Sequence, residues 1–132
     1  MWKTIVVSGL LALVLACGRD PNAVPECRPA SEQLMTALSA GINDGATIEN
    51  VHTVTSRAYT NVWFVGARII DSASPDTNPI GVWGVDDLEQ PEFIWWANDT
   101  ARRYSSWGDE QYYDAATDGI GVVRSCAARD PE

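Results

Sequence analysis

The chain has 132 residues, with 9 basic and 18 acidic side chains, a formal net charge of -9 and 45% hydrophobic residues. That length holds one domain, and the apolar content is too high for a disordered chain. The acidic excess excludes nucleic acid as a partner, since phosphate binding needs clustered Lys and Arg, and a single long apolar stretch excludes a multi-span transporter.

Residues 1–16, MWKTIVVSGLLALVLA, carry one positive charge at Lys3, then run uncharged from Ile5 to Ala16. Twelve such residues are too few to cross a bilayer core, which takes about 20 helical residues. They match the apolar region of a secretory signal, with Val14 and Ala16 at the small-residue cleavage positions. Val14-Leu15-Ala16-Cys17 resembles a bacterial lipobox, in which the cysteine thiol receives diacylglycerol and becomes the first mature residue. Palmitate-type chains contribute about 0.8 kcal/mol per buried methylene, and two chains give stable attachment. Ordinary secretion and an uncleaved anchor are the alternatives. The segment 17–29 then reads as the lipidated cysteine and a Pro-containing tether. Residues 30–132 read as a single globular domain.

Ser31 can cap a helix to about Ile42, with Leu34, Leu38 and Ile42 on one face and Met35 beside them. Gly41 or Gly45 supplies the stop. From Thr47 the composition turns β-branched and aromatic, the mark of strands. Thr47–Arg57 carries Ile48, Val51 and Val54, whose spacing of three alone would suit a helix, but the threonine and valine neighbours favour a strand with a bulge. Val62 to Ile70 is apolar on both faces, as in a central strand covered on each side. After a 71–79 loop, Ile80–Val85 forms a third strand and Asp86–Pro91 an acidic turn. Glu92–Ala97 forms a fourth, Phe93 and Trp95 on one side, Ile94 and Trp96 on the other. Asn98 or Asp99 caps a short helix holding Ala101, Tyr104 and Ser105. Gly119–Ala128 fits helix or strand. Short connections favour antiparallel pairing. The expected fold is α+β: an N-terminal helix on a four-stranded antiparallel meander, a short helix after strand four, and a C-terminal element stapled by a disulfide.

With Cys17 given to lipid, Cys27 and Cys126 remain as an even pair in an oxidising compartment. A bond between them closes nearly the whole domain; two buried free thiols are the alternative. The mature 116 residues keep 8 arginines, no lysine and 18 acidic groups, a balance of -10. This favours basic partners and solubility.

Little in the chain points to catalysis. His52 is the single histidine, so a zinc site or a serine triad lacks partners. No phosphate loop or nucleophile elbow occurs. Asp86, Asp87, Glu89 and Glu92 form the densest carboxylate group; these, or the carboxylates of 109–118, are the basis for a rival reading as a small cell-wall carboxylate hydrolase. Asp109, Glu110, Asp114 and Asp118 do not match an EF-hand spacing. No catalytic, cofactor or metal residue is therefore assigned. The aromatic run from Phe93 to Tyr113 is the most unusual feature. Phe93, Trp95 and Tyr104 read as core. Tyr112 and Tyr113, paired in a polar stretch, read as a partner contact, with Trp107 and Trp96 as further candidates.

Four segments, VWFVGARI at 62–69, GVWGVDDL at 81–88, ARRYSSWG at 101–108 and DGIGVVRSC at 118–126, resemble a family of small secreted proteins and lipoproteins of actinobacteria and their phages. The resemblance spans roughly half the mature chain and implies a lipid-anchored, small α+β domain without assigning any catalytic residue. The family's WATN-like word stands here as Trp83-Gly84-Val85-Asp86.

The expected function is a non-enzymatic binding module on the outer face of a bacterial cell membrane. Its partners are the membrane, through the N-terminal lipid, and an envelope protein or cell-wall component. One concrete form is a phage- or prophage-encoded surface exclusion factor. A structural envelope lipoprotein is a third reading.

Overall fold

The computed structural model describes residues 26–108 and 119–129. Five antiparallel strands lie in the order β1 to β5: Arg28–Pro29, Ala46–Thr55, Trp63–Asp71, Ile80–Val85 and Ile94–Trp96. The helices are α1 (Glu32–Ser39), α2 (Asp99–Tyr104) and α3 (Ile120–Ala128).

Two points correct the sequence expectation. The sheet has five strands, not four, because Arg28–Pro29, within the stretch read as tether, pairs with Thr53 and His52 of β2. Two residues, one of them proline, carry no alternation from which a strand can be read. Helix α1 also stops at Ser39, short of Ile42. Beyond it, the buried Gly41 sits under the Trp107 ring, where a Cβ would collide with the indole, and Ile42 forms an isolated bridge with Ser105. Ser31 does cap the helix, its hydroxyl accepting from the Leu34 amide at 3.1 Å.

The sheet is covered on both faces. Leu34 and Leu38 of α1 and Ala101 of α2 pack with Val51, Val65, Ala67, Ile69, Trp83, Val85 and Ile94 on one side. Ile120 and Val123 of α3 pack with Val54, Phe64 and Val82 on the other. The apolar run of β3 thus fills two cores, as a central strand must.

A bulge sets the phase of β2. Pairing with β3 shifts register between Glu49 and His52, and Asn50 stands there at φ 52°. Ile48 and Val51, three apart, consequently share the α1 face, whereas Val54 turns to the α3 face. Asn tolerates this left-handed conformation better than most residues.

The C-terminal element is helical. Its close seat on the sheet requires Gly66, since a Cβ there would meet the Val123 carbonyl oxygen at 2.7 Å. Asn50 Nδ2 donates to the carbonyls of Ala127 (2.8 Å) and Arg129 (2.6 Å), and Arg68 donates to that of Ala128 (2.9 Å). These bonds satisfy orphan carbonyls at the negative end of the helix dipole. A disulfide joins Cys27 to Cys126, with the Cα atoms 6.5 Å apart.

Candidate functional site

The acidic turn after β4 is built by its own carboxylates. Asp86 Oδ1 accepts from the amides of Glu92 (2.9 Å) and Phe93 (3.0 Å). Asp87 Oδ1 accepts from those of Glu89 and Gln90, each at 2.8 Å. Short polar side chains bonding to nearby backbone are what hold tight loops. The amides of Gln90, then Glu89, hold the Asp87 carboxyl below its ordinary value. A general acid needs the opposite shift, so Asp87 is a strut of this loop.

The turn is also tied to α1. Ser31 Oγ, besides capping its helix, donates to the Leu88 carbonyl at 3.1 Å. Between helix and turn lies a groove of about 630 Å³, lined by Glu32, Gln33, Thr36 and Ala37 on one wall and Glu89, Gln90 and Pro91 on the other. Ala37 and Pro91 are half-buried, and Glu32 and Glu89 stand exposed beside them. A shallow apolar strip flanked by carboxylates suits a side chain with an aliphatic stem and a cationic head.

At the end of the turn, Phe93 is 54% exposed and stacks on Trp95, centroids 5.7 Å apart and planes 12° from parallel. The expectation that Phe93 fills the core is thereby corrected: it lies just before β5, and of the stacked pair it is Trp95 that packs against the α3-side core. Trp96 packs against the opposite core, with the Arg102 guanidinium 5.7 Å from its ring centroid. Trp107 donates from its indole nitrogen to the Leu38 carbonyl at 3.2 Å, closing the end of α1. Tyr104 is half-buried, and its hydroxyl donates to Asp71 at 2.9 Å; that bond, then burial, raises the phenol's pKa. Trp96 and Trp107 therefore both make packing contacts, and neither adjoins the groove.

His52 is half-buried on β2, its Nδ1 3.0 Å from the Asn50 carbonyl oxygen. Among the described residues no three His, Cys, Asp or Glu side chains are grouped to hold a metal ion. Cys17, Tyr112 and Tyr113 lie outside the described residues, as do Asp109, Glu110, Asp114 and Asp118. The groove itself escapes sequence reasoning, because residues 32–37 and 89–91 are brought together by folding. The one available signal is Ser31, whose hydroxyl serves both walls.

No family model, curated protein or solved structure matches this chain.

Proposed function

We propose that the chain is a lipid-anchored extracytoplasmic binding module rather than an enzyme. The observation that carries this reading is the use of the three cysteines. The Cys27–Cys126 bond takes two, leaving Cys17 at the end of an apolar leader, in a lipobox-like setting. A structural disulfide also fits an oxidising compartment outside the cytoplasm. The carboxylates of Asp86 and Asp87 are engaged in holding a loop, which supports binding over hydrolysis. Resemblance to small actinobacterial and phage lipoproteins suits a surface exclusion role, in which a tethered domain engages an envelope or tail component.

Metabolic labelling with palmitate tests the anchor. The wild-type chain takes up label and sediments with membranes, whereas Cys17→Ser stays unlabelled and is found in the medium or as an unprocessed precursor. An unlabelled wild type, or a Cys17→Ser variant that keeps both label and membrane fraction, overturns the reading.

A further inference from the structure

We propose that the groove between α1 and the 86–92 turn is the docking surface of the module, and that its occupant is a basic segment of a protein partner, inserting an Arg or Lys side chain. This deepens the binding-module reading and rests on it.

Charge complementarity selects the occupant. Glu32 and Glu89 stand exposed on opposite walls, and Glu92 and Asp87 lie exposed on the same turn. Among the described residues that line the groove, none is basic. Ala37 and Pro91 give the aliphatic stem of an Arg or Lys a surface to lie on, with the cationic head between the two glutamates.

The walls are fixed before any partner arrives. Ser31 bonds to the Leu88 carbonyl, Asp87 holds the Glu89 and Gln90 amides, and Asp86 holds those of Glu92 and Phe93. Binding to such a surface loses little conformational freedom on the receptor side.

The test titrates the full chain, in detergent micelles, with a fluorescein-labelled hexapeptide of alternating Arg and Gly, read by anisotropy. Glu32→Gln with Glu89→Gln should weaken binding about fivefold, as expected for two exposed ion pairs. The charge-matched control, Asp44→Asn with Asp76→Asn in exposed loops, should change it by less than about twofold. Thr36→Trp, on the exposed helix face, fills the groove at constant net charge and should also weaken binding about fivefold. Thermal melts establish that each variant is folded. Equal losses in both charge pairs, an unaffected Thr36→Trp, or no binding by the wild type overturns the proposal. Peptide capture in micelles does not depend on acylation, so a failed palmitate experiment leaves this result readable.

Discussion

Asp87 shows how one exposed carboxylate shapes a surface. Its two amide bonds favour the ionised form, so its pKa in the folded chain lies below the ordinary 3.8. A carboxyl lowered on folding stabilises the native state above its unfolded value and loses that contribution as pH falls through the folded one. Asp87→Ala should therefore melt at a lower temperature than wild type near neutrality, the gap closing below about pH 3.8; thermal melts across pH check this. Asn50 acts at the same scale. Asn50→Ala deletes the bonds to the α3 carbonyls and forces a Cβ-only residue into positive φ. The expected cost is about 1–2 kcal/mol by denaturant titration. Asn50→Gly, which accepts the backbone angle but not the bonds, should fall between the two. Neither role was legible in the sequence: Asp87 reads as a solvated turn residue, and Asn50 as an ordinary strand position.

Elements with a local cause were legible. β4 runs from Ile80 to Val85 as expected, because an apolar stretch is bounded by Pro79 and Asp86. α2 starts behind Asn98, whose Oδ1 accepts from the Ala101 amide as a cap should; the same side chain also bonds Val82 and Ile80 of β4, extending the sheet. Elements whose cause lies elsewhere in the fold were not legible. α3 has Gly119 at its cap and Gly121 in its first turn and reads as helix or strand, until Gly66 gives its backbone room and Asn50 closes its end. The strand β1 exists through pairing with β2 and the adjacent sulfur bridge. Gly66→Ala should lift α3 from the sheet and cost about 1–3 kcal/mol, the range of overpacking. A shift in the denaturant midpoint with an unchanged slope is the expected signature.

At the scale of the molecule, two cores share one sheet, with α1 and α2 above and α3 below. The cross-link between Cys27 and Cys126 spans 99 residues of sequence. Closing a loop of that size removes about 4–5 kcal/mol of unfolded-state freedom in chain-entropy models. Full reduction should lower the unfolding free energy by an amount of that order, measured by denaturation with and without reductant. The sulfur bridge also governs how load enters the domain. A pull arriving along the chain from Glu26 reaches Cys27 before it reaches the two-residue β1, and there it divides into α3 through the covalent bond. An intact bridge thus keeps a tugged domain from peeling at its weakest edge, whereas a thiol-reduced one unzips from that margin first.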